Sequence, residues 1–421
     1  MSFPRYPTYK DSGVEWLGEV PGHWAVVQFK QFVDIQNGSD HKHVEQSEGY
    51  PVLGSGGVFT FASGFLYDGE SVLLGRKGTI DKPLHITGRF WTVDTMYWTK
   101  ISPDVSGRFT YYSALTIPFD FNSTNTALPS MTKGALCSHR VACPPLSEQT
   151  QIAAFLDRET AKIDALVAEQ RRLMELLKEK RQAVISHAVT QGLNPDAPMK
   201  PSGVEWLGDM PAHWVVVALK RIADVQTGVA KGKDNGSRNT ISVPYLRVAN
   251  VQDGYLDLET VATMDVPVED LPRYALQPGD VLMNEGGDFD KLGRGHVWDG
   301  QIDPCITQNH VFAVRPRKVA SAWLNAITGS DFAQFYFMTR SKQSTNLASI
   351  SSTNLMELPV ILPPEKEQHA ILAFIADQTA RFDTLTTEAQ RAIDLLQERR
   401  TALISAAVTG QIDVRSTVEP L

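Results

Sequence analysis

Two stretches of this chain occur twice, and the distance between the copies differs for the two stretches. SGVEWLGEVPGHWAVVQFKQFVDIQNG begins at Ser12 and SGVEWLGDMPAHWVVVALKRIADVQTG at Ser202; 16 of their 27 positions are identical without a gap. PPLSEQTQIAAFLDRETAKIDALVAEQRRLMELLKEKRQAVISHAVT begins at Pro144 and PPEKEQHAILAFIADQTARFDTLTTEAQRAIDLLQERRTALISAAVT at Pro363, with 23 of 47 positions identical. The offsets are 190 and 219, so the intervening segment is 29 residues longer in the second half. Those segments, 39–143 and 229–362, share only an echo near their ends, STNTALPSMTKGAL from Ser123 against STNLASISSTNL from Ser344. Such a repeat restricts the fold to two equivalent modules. Each is an insert carried on a repeated frame, which suits one scaffold bearing two different specificities.

The second repeated stretch reads as a helix. Residues 147–190 hold no Gly or Pro and are rich in Ala, Leu, Glu, Lys, Gln and Arg, all strong helix formers. Ser147 is placed to cap, Glu148 suits the first turn, and Gly192 and Pro195 mark the end. At 1.5 Å per residue the rod is about 65 Å long. Leu156, Ile163, Leu166, Leu173, Leu177 and Val184 recur at three- and four-residue steps interrupted by Glu159, Gln170 and Lys180, as in a coiled-coil seam. Ile375, Phe382, Leu385, Ala389, Ala392, Leu396 and Leu403 repeat it. One such helix is not stable alone, so the expected arrangement pairs the copies antiparallel about an approximate two-fold axis.

The totals exclude several classes. The chain has 421 residues, 42% hydrophobic and 21% charged, which suits two or three folded domains. It shows neither a signal-peptide apolar region at MSFPRYPTYK nor an 18-residue apolar run, so no membrane partner and a cytoplasmic setting are expected. Three cysteines do not make a disulfide framework. Cys137, His139 and Cys143 cluster, but their spacing fits no zinc pattern. The net charge is −8, awkward for a binder of phosphate. It is uneven: residues 1–146 carry 12 basic and 13 acidic groups.

Trp16, Trp24, Trp206 and Trp214 offer rings that could stack on bases. The favoured reading is a clasp where each globular region meets a helix end, because one fixed motif cannot read two different sequences.

The SGVEWLG–P–HW element, the PP-x-x-EQ lead into a long helix and the AVT ending, each present twice, resemble specificity subunits of type I restriction–modification systems over the whole chain. The resemblance implies an α+β chain with two globular target-recognition domains in tandem, each followed by a long helix, the helices pairing as an antiparallel coiled coil with pseudo-two-fold symmetry. The expected boundaries are 1–143 and 196–362 for the recognition domains, 144–195 and 363–410 for the helices, and 411–421 for a tail. It further implies that the chain is not an enzyme. Each domain would read half of a bipartite, asymmetric site on double-stranded DNA, with the helices setting the gap. Two adenine-methylating modification subunits, and through them two restriction subunits, would be the partners. The chain itself would hold no cofactor; S-adenosylmethionine and ATP belong to those partners.

Base edges are read by Arg, Lys, Asn, Gln or His. In the first insert the candidates are His41, Lys42 and His43 after Gly38, and Arg76 and Lys77 in LLGRKGTI. In the second they are Lys231, Lys233 and Arg238 after Gly228, Arg247 and Asn250 in PYLRVANVQDG, and Lys291, Arg294 and His296 in DKLGRGH. The two post-glycine loops occupy equivalent places. Catalysis finds little support. The PP pairs read CPPL and LPPE, without the acidic or Asn residue and the aromatic of an adenine methyltransferase, and no Gly-rich nucleotide loop occurs. Asp280 and Glu285 are a weak hint of a nuclease. A coiled-coil adaptor that does not read DNA is the other alternative.

Overall fold

In the computed structural model the described residues are 3–119, 129–232, 236–287, 292–293, 295–344 and 347–415. The chain divides into two compact units: residues 1–171 with 390–421, and residues 172–389. Each unit takes one insert, one copy of the Trp motif and a part of both long helices.

The long helices run Leu146–Gln191 and Glu365–Val408. The first starts one residue before Ser147, so Ser147 lies inside the first turn instead of capping it. The Pro-Pro pairs set the start: Gln149 N donates to Pro145 O and Gln368 N to Pro364 O, both at 3.0 Å. The Gln149 and Gln368 side chains also donate to the preceding carbonyls, Pro144 O and Pro363 O, both at 2.9 Å.

Within each unit the two helices lie antiparallel. In the first unit Arg400 Nε donates to Asp164 Oδ1 at 2.9 Å; in the second Arg181 Nη1 donates to Asp383 Oδ1 at 2.7 Å. At the helix offset of 219, Asp164 corresponds to Asp383 and Arg181 to Arg400, so one Asp–Arg pair is used twice in reciprocal positions. The seam follows the expected pattern at most positions and departs from it at Leu166, Leu173 and Leu385. Leu156, Ile163, Val167 and Leu177 are buried, whereas Leu166 and Leu173 are 51% and 42% exposed. Phe382, Ala389 and Ile393 are buried, whereas Leu385 is 45% exposed. Val184, Ile375, Leu396 and Leu403 are half-buried on the seam side. Between them lie buried Thr160 and half-buried Gln170, Met174 and Arg181, so the seam advances by four- and three-residue steps. Leucine spacing passed over Thr160, Gln170 and Arg181 because polar members of a seam carry no hydropathic signal.

The first unit holds a seven-stranded sheet ordered Val33–Asn37, Met96–Ile101, Tyr67–Gly75, Leu84–Thr92, Tyr50–Gly54, Gly57–Ala62, Glu45–Gln46. The second has a four-stranded sheet ordered Ala223–Thr227, Val311–Pro316, Val281–Asn284, Gly295–Val297, and a three-stranded sheet in which Thr240–Leu246 runs parallel to Ile306–Thr307. The first four strands of each order correspond. So does the parallel pairing, which is Val52↔Trp91 in the first unit and Tyr245↔Ile306 in the second. The inserts therefore share a fold that their sequences do not reveal.

Each insert leaves and re-enters through one antiparallel ribbon: Ala25–Gln28 with Arg140–Cys143, and Val215–Ala218 with Pro359–Leu362. The registers are equivalent, Gln28↔Arg140 against Ala218↔Pro359. The 190-residue offset governs one strand and the 219-residue offset the other. A longer insert thus changes nothing below the ribbon. Among the described residues no helix is long and apolar enough to cross a membrane.

Seam and flank should respond differently to truncation. Ile163→Ala is expected to cost about 2–5 kcal/mol and Leu166→Ala no more than about 0.5 kcal/mol, compared by urea unfolding; equal costs would reject the buried seam described here.

Candidate nucleic-acid interface and the clasp beneath it

The frame motif is built around a buried indole. Trp24 and Trp214 are fully buried. Trp24 Nε1 donates to Glu148 Oε2 at 2.9 Å, and His23 Nε2 lies 2.9 Å from the same oxygen. Trp214 Nε1 donates to Glu367 Oε2 at 2.9 Å, with His213 Nε2 2.6 Å from Oε1. The acid sits in the first turn of its helix, where the exposed amides favour negative charge. Burial pushes the Glu367 carboxyl up, but the bonds from Trp214 and His213 outweigh it and hold the group below its usual range. The other helix ends against the same indole. A Cβ on Gly410, whose φ is +76°, would lie 2.9 Å from Trp24; one on Gly192, φ +77°, would lie 3.1 Å from Trp214. Each tryptophan therefore closes one helix beginning and one helix end. Trp16 and Trp206 are partly exposed. Trp16 stacks on His139 at 5.0 Å, and Trp206 lies against Phe335 and Tyr336.

Gly38 and Gly228 end the frame motif, and both must be glycine. An added Cβ would lie 2.0 Å from Val93 O at Gly38 and 2.2 Å from Thr307 O at Gly228. The chain is thereby pressed against a turn between two sheet strands, 93–95 in the first insert and 308–310 in the second. Ser39 N donates to Thr92 O, and Val229 N to Thr307 O. On the other side of the turn Arg76 N donates to Thr95 O, and Glu285 N to His310 O. The post-glycine loop, the turn and the strand end are thus gathered in the same way in both inserts.

In the first insert this gathering joins most of the expected residues. Lys42 and Lys77 are exposed. His41 meets Phe59 edge-on at 5.2 Å, and His43 meets Trp91 at 5.5 Å. Arg76 Nη1 donates to Asp94 O at 3.2 Å. Four basic or imidazole groups and one further lysine flank a single turn.

The second insert keeps fewer of the expected residues at this place. Lys231 is exposed in the post-glycine loop. Arg238 is held by Asp270 at 3.1 Å and Glu269 at 3.7 Å. Asn250 leaves the candidate set: it is buried, its Oδ1 accepts from Arg247 N, and its Nδ2 donates to Asp257 O and Thr260 O. With both ends of the amide used inside the loop, nothing remains for a base. Arg247 is half-buried, with Nη2 3.4 Å from Thr260 O. His296 is half-buried in the strand Gly295–Val297. Lys233, Lys291 and Arg294 lie outside the described residues. Gln308, Asn309 and His310 occupy the turn itself, where no basic cluster marks them. Where the first insert has Arg76, the second has Glu285, whose carboxylate lies 3.0 Å from His310 Nδ1.

Asp280 does not join Glu285. It is buried and takes a two-pronged ion pair from Arg315, both bonds 2.7 Å. Cys137 and Cys143 are half-buried and Cys305 buried, all three as free thiols. Among the described residues no group of three or more His, Cys, Asp or Glu is placed to hold a metal.

With this geometry in view, comparison with known proteins is informative. The family model described as "Type I restriction modification DNA specificity domain" matches residues 21–174 and 211–394. The EcoKI specificity subunit of Escherichia coli K12 is 24% identical over 66% of this chain and 59% of its own length. This chain thus spans about three fifths of that relative. The EcoDI specificity subunit of Escherichia coli is 21% identical over 96% of this chain and 91% of its own. A structure solved in a study of complex assembly and conformational transition of the type I R-M system shares the fold. Its TM-score is 0.67 at 15% identity, and the match covers 92% of this chain and 98% of that one.

Two expectations follow from the clasp. Glu148→Ala and Glu367→Ala each strand a buried indole N–H and should each cost about 1–3 kcal/mol, Glu367→Ala toward the lower end because its carboxylate is 43% exposed, both read by denaturant unfolding. His139, pushed down to about 4 by burial beneath Trp16, stays neutral when the unfolded chain has already taken up a proton. Stability present at neutral pH is therefore lost as pH falls from about 6.5 to about 4. A His139→Gln protein melted across that window should show a shallower slope, and an unchanged slope would reject the assignment.

Two family domains, one on each insert and its helix, account for most of the chain, and the chain belongs to the type I restriction–modification DNA specificity family.

Proposed function

We propose that this protein is the non-catalytic subunit that gives a type I restriction–modification complex its DNA sequence specificity. What supports this most directly is the place beneath each turn where chemistry differs while backbone does not. Arg76 in one insert and Glu285 in the other make the same main-chain bond beside equivalent turns. Arg is suited to the acceptor edge of guanine and Glu to the amino group of cytosine. One fold with unlike side chains at one location is what two unlike half-sites require. The residues assigned to the reading surface are His41, Lys42, His43, Arg76 and Lys77 in the first domain, and Lys231, Glu285, Gln308, Asn309 and His310 in the second.

The site is bipartite and asymmetric, and the paired helices set its gap. Half-sites read from one face of the duplex lie about one helical turn apart, centre to centre. Two modification subunits bind the repeated frame, one per half, and restriction subunits join through them. S-adenosylmethionine and ATP act on those partners, in the cytoplasm. The acidic balance of the chain is tolerable because the partners supply phosphate contacts.

Exchange of residues 229–362 for the matching segment of another family member tests this reading. Mapped by methylated-adenine sequencing in cells that hold the modification subunit, one half of the recognised site should change and the other half and the gap should stay. A change in both halves, or no methylation pattern assignable to the chain, would overturn it.

A further inference from the structure

The reading turn of the first insert has a close neighbour that carries no charge. Tyr50–Gly54 and Gly57–Ala62 form a hairpin closed by Ser55 and Gly56. Its tip is tied to the turn: Val93 N donates to Leu53 O at 3.2 Å, and Thr92 Oγ1 donates to the same oxygen at 3.0 Å. The register shifts inside the hairpin. Val52 pairs with Thr60 but Leu53 with Val58, so Phe59 is an extra residue with no partner on the facing strand. Successive side chains of a regular strand point to opposite faces. A bulge breaks that alternation and re-aims a side chain. Here it leaves two consecutive apolar residues in solvent, Val58 at 53% and Phe59 at 58% exposed.

An exposed apolar residue needs no explanation singly; a bulge that delivers one to a reading turn does. A Cβ on Gly54 would lie 3.5 Å from the Phe59 ring and 4.0 Å from the Val93 side chain, so the ring stands beside the turn. His41 meets it edge-on at 5.2 Å, and neither contact buries it. Lys42 and Lys77 are exposed around the same turn, while Glu45 is engaged by Thr60 Oγ1 at 3.0 Å. An apolar centre with basic groups about it suits a base edge between phosphates. In the second insert the corresponding strands, Thr240–Leu246 and Ala262–Pro267, pair in unbroken register and are joined by residues 247–261. The bulged tip therefore belongs to the first half alone.

We infer that Phe59, with Val58 beside it, reads a thymine of the first half-site by packing on its C5-methyl group in the major groove. This rests on the function proposed above and names a base feature that the charged residues of the turn do not select. Thymine alone among the four bases presents a methyl group in that groove, and Phe is among the side chains that meet it. The groove, about 12 Å wide, admits a two-stranded β-ribbon, which is the form of the hairpin tip. Lys42 and Lys77 then meet phosphates, which fix the register without carrying sequence.

The test uses the full chain in complex with the modification subunit of its system. The first half-site is the half that persists when residues 229–362 are exchanged. Each thymine there is replaced in turn by deoxyuridine, which removes only the methyl group, and affinity is measured by fluorescence anisotropy at one salt concentration. One replacement should weaken binding about fourfold, the worth of one buried methyl. Phe59→Ala should weaken binding to the thymine duplex by about tenfold and should no longer distinguish thymine from deoxyuridine at that position. Phe59→Leu, still apolar, should keep part of the difference. The salt dependence of Phe59→Ala should match the unaltered chain, since no phosphate contact is lost. Phe65→Ala, beside Tyr50 at the far end of the hairpin, should change neither affinity nor discrimination. Thermal unfolding of each free variant should match the unaltered chain, which separates reading from folding. No effect of any deoxyuridine, or an effect that survives in Phe59→Ala, would overturn the thymine contact and leave the specificity reading intact. A Phe59→Ala complex that binds DNA as tightly as the unaltered one would also overturn it and assign the patch to a protein partner. A complex that recognises no split site at all would overturn the specificity reading itself.

Discussion

Everything in this molecule is anchored where a buried tryptophan donates its single hydrogen to a glutamate at the start of a long helix. The Trp24–Glu148 and Trp214–Glu367 bonds, each 2.9 Å, tie the strand that enters an insert to the helix that follows it. A buried indole N–H without an acceptor is costly, and an acid in the first helical turn is favoured electrostatically. The two requirements meet in one contact. The opposite helix then ends in a glycine against the same ring, at Gly410 and at Gly192. Helix beginning, helix end and insert entry are thus located by one side chain, twice.

Above that anchor, the two-stranded ribbon separates what must repeat from what must differ. Both ends of each insert leave from adjacent strands in the same register. Insert length and surface are consequently invisible to the helices below. This is the physical basis for a 29-residue difference between halves that otherwise superimpose in their frame. It also explains how one sheet order can carry Arg76 on one side and Glu285 on the other. The sheet places the turn, and Arg76 and Glu285 beside it are only half-buried.

The candidate surface was only partly legible in advance. Clusters of charge drew attention to His41, Lys42, His43, Arg76 and Lys77, and the structure places them around one turn. The second insert gathers fewer of its expected residues at the corresponding turn. Asn250 is consumed by its own loop, Arg238 is neutralised by Asp270 and Glu269, and the turn residues Gln308, Asn309 and His310 belong to no basic run. Charge density marks only basic groups. Amides and an acid–imidazole pair leave no such mark, and only the strand correspondence between inserts shows that they share a place with Arg76.

The sequence by itself determined the duplication, the two helices, the glycine stop of the first at Gly192, and the clasp role of Trp24 and Trp214. These depend on local spacing and on identity between copies, which a linear chain displays in full. The tertiary structure alone decided which leucines leave the seam, the common fold of the inserts and the gathering of post-glycine loop, turn and strand end. Leu166, Leu173 and Leu385 are hydrophobic but lie off the seam, while Thr160, Gln170 and Arg181 lie on it. Which flank of a helix is buried is settled by the partner's position, here by the reciprocal Asp164–Arg400 and Asp383–Arg181 pairs. That position comes from contacts more than two hundred residues apart, which periodicity within one helix does not contain.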